Sequence, residues 1–306
     1  MSTPADNSCV FIEGPWKHRL VQANGSQFHL VHMGEHSDTL PLVLLVHGFP
    51  EYWWAWRGQI AAIAEAGYEV AAFDQRGIAG SDKTPNSTDA LTLTYDIPAI
   101  ARSLGASRVV VVGHGRGGQL AWSAPCIQPS IIEGIVTFSA PHTRALQRPG
   151  AHLTLRTWRH ALTTFIPAIA RRGLVKEGYV RRLLQEWSAP GNDGASAQSD
   201  LYAAAMRLPE AADTALEQLR WSYTAVQRPS GRRYLDLIKT PISIPVWTVR
   251  GQQDPLLPDR AWHRDKVFTT GPYRQITIHG AGHFIPEEAP EESTQVILDF
   301  LASLRK

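Results

Sequence analysis

Cysteine is scarce in this chain of 306 residues, in which Cys9 and Cys126 are the only two. Two cysteines give no disulfide framework, and this usage is typical of a reducing compartment. An excess of one charge is also lacking, because 30 basic side chains nearly balance 28 acidic ones. The net charge of +2 and the isoelectric point near 8.6 argue against a nucleic acid or an anionic membrane as partner. We expect neither partner, and we expect a substrate that is not polyanionic.

Long apolar runs are lacking too, and none approaches the ~20 residues that a membrane-spanning helix needs. The first 15 residues are polar and are interrupted by Pro4, Gly14 and Pro15. They lack the basic segment followed by an apolar stretch that is typical of a secretory signal peptide. We therefore expect a soluble, cytoplasmic protein.

The residues that are present favour a large α/β fold. A composition of 43 % apolar and 19 % charged residues suits one large α/β domain or a domain that carries an insertion. Asn24 and Gly25 lie between the strand-like residues 17–22 and 27–33, which predicts an antiparallel hairpin. Short apolar strands and helices then alternate, and this alternation predicts a parallel sheet with right-handed crossovers.

The predicted elements of this first part are listed by residue number. Strands are expected at 42–46, 69–73, 109–112 and 134–138, and helices at 61–66 and 94–104, the second shortened or kinked by Pro98. A further helix, interrupted by Pro125, follows the strand at 109–112.

The pattern changes between residues 142 and 239, where strand-like runs give way to helical segments. Helices are expected at 158–170, 175–187 and 203–218, with a loop at 188–199. Strand signals resume at 244–249 and 273–278, and a helix at 290–304 follows them. We therefore predict a core domain of residues 1–141 and 240–306, and an inserted helical lid, or cap domain, of residues 142–239.

Basic residues are frequent in that helical segment. They are Arg171, Arg172, Lys176, Arg181 and Arg182. We interpret them as a solvated helix face rather than as an anion site.

The most informative stretch is residues 108–118, R-V-V-V-V-G-H-G-R-G-G. Four valines followed by a glycine-rich turn and a helical pattern predict a buried strand that turns sharply into a helix. This is the setting of a nucleophile elbow, G-x-S-x-G, in which the nucleophile occupies the middle position. Gly113 and Gly117 are the flanking glycines, and Gly115 occupies the position of the nucleophile. The sequence thus supplies the frame of a covalent catalyst without its reacting atom.

Further motifs follow one another in a recognisable order. They are H-G-F-P-E-Y-W-W-A-W-R at 47–57, D-Q-R-G-I-A-G-S-D at 74–82, G-H-G-R-G-G at 113–118, F-S-A-P-H at 138–142, the acid loop around Asp254 and G-A-G-H-F at 280–284. Over nearly its whole length the chain resembles the α/β-hydrolases of the epoxide hydrolase and haloalkane or haloacetate dehalogenase branch. That resemblance implies a mostly parallel eight-stranded sheet flanked by helices, with a helical cap and no cofactor or metal.

The resemblance also implies roles for individual residues. In this branch an Asp at the elbow attacks the substrate, and the resulting ester is hydrolysed by water that a His activates. Gly115 stands at the nucleophile position, Asp254 is the acid that orients the imidazole, and His283 is the base. The backbone N–H groups of Phe49 and Arg116 are the expected oxyanion hole.

Two departures from the family pattern concern the reacting groups. Gly115 removes the attacking carboxylate, and the side chains of His114 and Arg116 should point elsewhere. A tyrosine hydroxyl is expected in the lid near position 218 or 219, where this sequence has Gln218 and Leu219.

Other aromatic residues are candidates for the substrate pocket. Among Tyr179, Tyr202, Tyr223 and Tyr234 we favour Tyr223 as a substitute for the missing tyrosine, although each of them could simply pack. Trp53 and Trp54, together with Trp56, are equally compatible with lining a pocket and with packing in the core.

Three hypotheses of function follow. In the first, the protein is an epoxide-hydrolase-like enzyme that acts on a small apolar molecule but lacks the nucleophile. In the second, it is a non-covalent enzyme in which Asp254 and His283 activate water or abstract a proton. In the third, it is a binding protein that holds a small ligand without turnover. Retention of the acid and the base favours the first two, and loss of the nucleophile and the lid tyrosine favours the third. The sequence leaves the substrate's identity and a homodimer open.

Overall fold

The computed structural model describes residues 6–84, 88–147 and 154–305. Within these ranges the strands form one eight-stranded sheet in the order β1-β2-β4-β3-β5-β6-β7-β8. The strands are β1 (Lys17–Ala23), β2 (Ser26–Met33), β3 (Leu42–Val46), β4 (Val70–Phe73), β5 (Val109–His114), β6 (Ile132–Phe138), β7 (Val246–Gly251) and β8 (Tyr273–Ile278). Only β2 pairs antiparallel with its neighbours β1 and β4, and the remaining pairs are parallel.

The predicted hairpin is confirmed. Ala23 pairs with Ser26, so Asn24 and Gly25 form a two-residue turn. Both turn residues have positive φ angles, 45° and 71°, which match the twist of the flanking strands. The hairpin places β2 between β1 and β4, and the parallel part of the sheet begins at β4.

Both faces of the central sheet are covered, which explains the wholly apolar strands. Every residue of β3, β4 and β5 is buried. Alternate residues of β3 belong to two different apolar clusters, with Val43 and Leu45 in one and Leu42, Leu44 and Val46 in the other. A strand that contributes side chains to two cores reads as a continuous apolar run instead of an alternating one.

The helices flank the sheet and fill the interval between β6 and β7. They are α1 (Arg57–Glu65), α2 (Ala90–Ser103), α3 (Arg116–Ile127), α4 (Thr143–Leu146), α5 (Leu155–Thr164), α6 (Pro167–Leu174), α7 (Glu177–Trp187), α8 (Ser199–Arg207), α9 (Ala211–Thr224), α10 (Pro229–Leu237), α11 (Ile285–Glu288) and α12 (Pro290–Ser303). No helix in the described ranges is long and apolar enough to cross a bilayer.

Two predicted helices are each two helices in the structure. The segment 158–170 divides between α5 and α6, because Pro167 starts the second helix at its first turn. The segment 203–218 divides between α8 and α9 after Pro209, where Glu210 adopts a left-handed conformation with φ of 61°. A proline tends to end the preceding helix, and Pro167 also begins the next one, whereas Pro209 lies in the turn before Glu210, the N-cap of α9.

Helices α5–α10 lie in the interval for which a lid was predicted. Helix α10 was not predicted, and α2 begins at Ala90 instead of Thr94 because Asp89 accepts the N–H groups of Leu91 and Thr92 as its N-cap. The boundaries at 142 and 239 stay a prediction, and residues 148–153 of that segment lie outside the described residues.

One buried imidazole after β6 makes the fold sensitive to acid. His142 is 2 % exposed, its ring stacks on Phe268 at a centroid distance of 3.8 Å, and its Nδ1 accepts the N–H of Arg144 at 3.2 Å. Burial, with a smaller contribution from the nearby Arg144 charge, lowers the pKa of His142 from 6.5 to about 3. Between these two values the unfolded chain binds a proton that the folded chain does not. The contribution of neutral His142 to stability is therefore present above pH 6.5 and is lost as the pH falls toward 3.

We expect His142→Phe to remove part of this acid sensitivity. At pH 5 the unfavourable protonation linkage of His142 amounts to about 2 kcal/mol relative to pH 7. Urea unfolding at the two pH values should show a loss of stability that is smaller by about this amount in the variant than in the parent. The exposed His263, changed to Phe, is the control and should leave the loss as it is in the parent. An equal loss in parent and His142→Phe would contradict the prediction.

Candidate active site

The predicted elbow is present between β5 and α3. Strand β5 ends at His114 and α3 begins at Arg116, so Gly115 alone makes the turn, with φ of +51° and ψ of −116°. A Cβ atom at Gly113 would lie 2.4 Å from the Gly117 carbonyl oxygen, and one at Gly117 would lie 2.2 Å from the Val46 carbonyl oxygen. The flanking positions therefore have no room for side chains, and this is the close approach of strand and helix that an elbow requires.

The space above Gly115 is open, in contrast to its neighbours. A Cβ atom built there would lie 3.6 Å from Nε2 of His283 and 3.8 Å from Cα of Gly48, with nothing closer. A side chain at this position would thus point at the imidazole without a steric clash. Only the positive φ angle would oppose it.

We expect substitutions of Gly115 to destabilise the fold through this backbone conformation. Holding a non-glycine residue at such angles costs of order 1–3 kcal/mol. Gly115→Asp and Gly115→Ala should both lower the free energy of unfolding, measured by urea titration. Gly178→Ala is the matched control, because Gly178 lies in α7 with open space at its Cβ position and should be neutral or stabilising. An unchanged or raised stability of Gly115→Ala would show that the elbow is not strained.

His283 and Asp254 form the hydrogen-bonded pair that the sequence predicts. Nδ1 of His283 donates to Oδ2 of Asp254 at 2.9 Å, and Oδ1 of Asp254 accepts the N–H groups of Leu256 at 2.8 Å and Leu257 at 3.2 Å. The Asp254 side chain is fully buried, while that of His283 is 11 % exposed. Because the carboxylate only accepts, the proton of the imidazole lies on Nδ1 and Nε2 presents a lone pair toward Gly115.

The loop that carries His283 is held by a carboxylate that sequence reasoning missed. Glu288 accepts the N–H groups of Gly282 at 2.8 Å, Phe284 at 2.7 Å and Ala189 at 2.7 Å. The N–H of His283 itself donates to the carbonyl oxygen of Trp187 at 2.9 Å. These bonds join the base to the end of α7. No sequence motif signalled this role for Glu288, since the acid binds backbone N–H groups, and one of these belongs to the distant Ala189.

A second buried pair lies beneath the elbow. Nδ1 of His114 donates to Oε2 of Glu51 at 2.7 Å, and its Nε2 donates to the His283 carbonyl oxygen at 2.8 Å. The same Glu51 oxygen accepts the N–H of Gly48 at 2.8 Å. Burial alone would lower the pKa of His114, but the Glu51 carboxylate outweighs burial and raises it. His114 thus points into the interior, as expected, and ties together the elbow, the His283 loop and the loop after β3.

A cavity of about 160 Å³ opens over Gly115. Most of its lining is apolar, and the described residues around it include no carboxylate. The lining residues are Phe49, Gly115, Arg116, Gln119, Ser139, Pro141, Leu146, Thr157, His160, Trp187, Leu219, Ser222, Tyr223, Leu256, Leu257 and His283. The structure thus brings together Gly115, His283, Phe49, Arg116 and Tyr223. Asp254 lies behind His283 and does not line the cavity.

The expected oxyanion-hole residues both border this cavity. In the described residues no acceptor is bonded to the N–H of Phe49, which lies between Gly48 and Pro50 outside any helix or strand. Arg116 is the first residue of α3, where backbone N–H groups have no partner within the helix. Their role as an oxyanion hole stays a prediction.

Trp53 and Trp54 correct the prediction of substrate contacts. Both lie in a 3₁₀ helix, Trp53–Trp56, and neither lines the cavity. Trp53 is fully buried and its Nε1 donates to the Val10 carbonyl oxygen at 2.8 Å, while Nε1 of Trp54 donates to Oε1 of Gln198 at 2.9 Å. They pack against the N-terminal segment and the chain after α7, so of the two roles with which the sequence is equally compatible the structure favours packing.

We expected the side chain of Arg116 to point away from the site. In the structure it forms part of the cavity wall. Its Nη1 donates to the Gln218 carbonyl oxygen at 2.6 Å and to Oγ of Ser222 at 2.5 Å. In the described chain its Nε and Nη2 have no partner. Burial lowers the pKa of Arg116 to about 10, so the group is a cation at neutral pH, and in the described residues it forms no ion pair with a carboxylate.

The side chains of Gln218 and Leu219, the positions where a lid tyrosine was expected, point in different directions. Gln218 turns away and its Nε2 donates to the Arg76 carbonyl oxygen at 3.0 Å, whereas Leu219 faces the cavity. Tyr223, one turn further along α9, does line the cavity. Tyr179, Tyr202 and Tyr234 do not line it.

A second histidine on the wall was missed. His160 of α5 lies edge-on to Trp187 with ring centroids 4.5 Å apart, and its Nε2 has no partner in the described residues. Burial, and next the charge of His283, lower the pKa of His160 to about 4, so it is neutral at physiological pH. A single histidine among helical residues carries no motif by which the sequence could have revealed it.

Known proteins resemble the chain in sequence and in fold. Residues 41–290 match the α/β-hydrolase fold family. Epoxide hydrolase A of Mycobacterium tuberculosis is 31 % identical, over 94 % of this chain and 97 % of the relative. Epoxide hydrolase B of the same organism is 28 % identical, over 94 % and 99 %. The crystal structure of epoxide hydrolase A from Mycobacterium thermoresistibile superposes with a TM-score of 0.77 at 26 % identity, over 94 % of this chain and 98 % of the other. The chain therefore belongs to the α/β-hydrolase fold family, in its epoxide-hydrolase-like branch.

Proposed function

We propose that the protein hydrolyses a small apolar epoxide and that the Asp254–His283 pair activates water directly. The observation that carries the proposal is the open space above Gly115. Nε2 of His283 lies 3.6 Å from where a Cβ atom of residue 115 would be, and its lone pair is available because Nδ1 is bonded to Asp254. A water molecule in that space would replace the missing carboxylate as the attacking group.

The proposed reaction needs no covalent intermediate. Nε2 of His283 takes a proton from the water while its oxygen attacks an epoxide carbon and the carbon–oxygen bond of the ring breaks. Asp254 stabilises the imidazolium that forms. The ring oxygen leaves as an alkoxide and receives a proton, so that one epoxide and one water give one vicinal diol. Tyr223, Ser222 and the Arg116 guanidinium are the donors on the wall that could meet this oxygen.

The lining of the cavity supports a small, neutral substrate. About 160 Å³ is below the size of a typical drug-binding pocket. Thr157, His160, Trp187 and Leu219 come from the helices between β6 and β7, which supports the proposal that residues 142–239 form a lid over the cavity. Styrene oxide is a suitable probe, since it joins one small reactive ring to one apolar group.

A ligand-binding protein without turnover is the second candidate. Two features favour it: the elbow has no nucleophile at Gly115, and Leu219 presents no hydroxyl to the cavity. The two candidate functions predict different effects of replacing His283 on the rate of diol formation.

Measurement of diol formation from styrene oxide by the parent and by His283→Gln separates them. We expect the parent to exceed the buffer rate, with ~10³-fold acceleration as the order of magnitude that remains in sites without a nucleophile. Loss of the base should lower the enzymatic rate by about 10²-fold or more. His279→Gln is the control, because this exposed histidine near the end of β8 lies outside the cavity. A parent that binds the epoxide without hydrolysing it, or equal rates for the parent and His283→Gln, would refute the proposal.

A further inference from the structure

Helices α5 and α6 expose an unusual number of large apolar side chains. We call this set the apolar stripe, and its members are Leu155, Trp158, Leu162, Phe165, Ile166 and Ile169. Leu155 is 88 % exposed, and the others range from 46 % for Phe165 to 58 % for Ile169. Single exposed apolar residues are ordinary on protein surfaces, but a contiguous set of this kind marks an interaction surface.

The stripe lies on the face of α5 opposite to the cavity. Leu155, Trp158 and Leu162 follow the i, i+3, i+7 spacing of one helix face. Thr157 and His160, which line the cavity, lie on the other face of the same helix. The inner face of α5 therefore already has its partners, and the apolar outer face is not needed to close the core.

Basic residues are frequent in the segment that carries the apolar stripe. Residues 154–187 contain seven Lys and Arg but only two Asp and Glu, whereas the whole chain has a net charge of +2. Arg159 pairs with Glu186, Arg171 with Asp213 and Arg181 with Glu177. In the described residues Arg172, Lys176 and Arg182 pair with no carboxylate, and all three are exposed. The small net charge of the chain, from which no anionic membrane partner was expected, thus conceals one positively charged segment.

The positive charge of this segment distinguishes between two possible partners for the stripe, a second copy of the chain and an anionic lipid surface. Two copies of the chain that met through the stripe would bring two positive surfaces together, which opposes association. An anionic lipid surface offers negative headgroups to the basic residues and an apolar layer to the stripe. A helix with exposed Trp, Phe, Leu and Ile beside Arg and Lys is the type that lies in the plane of a bilayer interface.

We propose that the apolar stripe docks the protein on the surface of an anionic phospholipid bilayer, with its basic neighbours against the headgroups. The protein lies on the membrane and does not span it. Tyr223, whose ring centroid is 6.1 Å from that of Phe165, joins the stripe to the cavity wall. At its Phe165 end the docked face therefore adjoins the cavity wall, where an apolar molecule dissolved in the bilayer would be delivered. The binding itself is independent of the chemistry at Gly115.

Co-sedimentation of the full chain with vesicles tests the proposal. We expect binding to vesicles of phosphatidylcholine with phosphatidylglycerol, little binding to phosphatidylcholine alone, and weakening by salt. The double variant Trp158→Ser with Ile169→Ser should bind the anionic vesicles at least about tenfold more weakly. Val267→Ser is the matched control, since Val267 is 56 % exposed but lies outside the stripe, and it should bind as the parent does.

A second variant separates the two parts of the surface. Arg172→Gln with Lys176→Gln keeps the apolar stripe and should lose most of the preference for anionic over zwitterionic vesicles. Equal binding of the parent and the Trp158→Ser, Ile169→Ser variant would overturn the proposal, as would no binding of the parent to either kind of vesicle. A concentration-dependent dimer of the parent that is lost in this variant, without vesicle binding, would assign the stripe to self-association instead.

Discussion

Gly115→Asp is expected to raise the rate of styrene oxide hydrolysis by about 100-fold or more over the parent. The new carboxylate would point from the elbow toward His283. The space there is open, because the nearest atom to a Cβ at residue 115 is Nε2 of His283 at 3.6 Å. Attack by this carboxylate opens the epoxide and forms an ester, and water activated by His283 then releases the diol. The N–H groups of Phe49 and Arg116 would stabilise the oxyanion of that second step. Initial rates of diol formation at saturating substrate are the measurement.

Gly115→Asn is the control for this gain. It has nearly the same shape as aspartate and the same backbone strain, but its neutral amide is a poor nucleophile. It should remain at or below the rate of the parent. If folded Gly115→Asp is no faster than Gly115→Asn, the remaining site is not competent for the covalent route and the interpretation of residue 115 as the nucleophile position fails.

Combining Gly115→Asp with His283→Gln is expected to trap the ester. Attack by the carboxylate does not require the histidine, whereas hydrolysis of the ester does. After incubation with styrene oxide, intact-protein mass spectrometry should show nearly all of the double variant heavier by the mass of one substrate molecule. Peptide mapping should place the addition on residue 115.

Two comparisons make the trapping result decisive. Gly115→Asp alone should show little of the adduct because it turns the ester over, and Gly115→Asn with His283→Gln should show none. An equal adduct in the asparagine variant would indicate alkylation of another side chain. Absence of adduct from the double variant, with activity present in Gly115→Asp, would mean that the aspartate acts as a base and not as a nucleophile.

The sheet could be predicted well from the sequence because its pattern is local. Leu42–Val46 and Tyr273–Ile278 have the bounds that their apolar and β-branched residues indicate. The hairpin follows from Asn24 and Gly25, which belong to the residue types that adopt the required positive φ angles at little cost. The juxtaposition of Gly115, Asp254 and His283 follows from their order in the chain together with the family resemblance. The helices between residues 142 and 239 were harder to predict, since the sequence around a proline does not show whether the proline ends one helix or starts the next.

The walls of the cavity could not be predicted, because they depend on how distant segments pack. Trp53 and Trp54 are aromatic residues of the kind that line pockets, yet contacts with the N-terminal segment and Gln198 hold them away from the cavity, Trp53 fully buried and Trp54 partly buried. Arg116 was expected to turn away from the site, but the Gln218 carbonyl and Ser222 hydroxyl of α9 hold it on the wall. His160 gains its place and its low pKa only from burial beside Trp187 and His283.

The bonds of Glu288 have a consequence for how substrate reaches Gly115. The carboxylate holds both the His283 loop and Ala189, just beyond α7, and the His283 N–H is bonded to Trp187 at the end of that helix. Moving the end of α7 would therefore pull the imidazole away from Asp254. A motion that uncovers the site and keeps the imidazole aligned has to leave this end of α7 stationary and move α5 and α6 instead, since α9 is itself bonded to Arg116 and to the Arg76 carbonyl. Access to the site would then open between Phe165 and Tyr223, whose ring centroids are 6.1 Å apart.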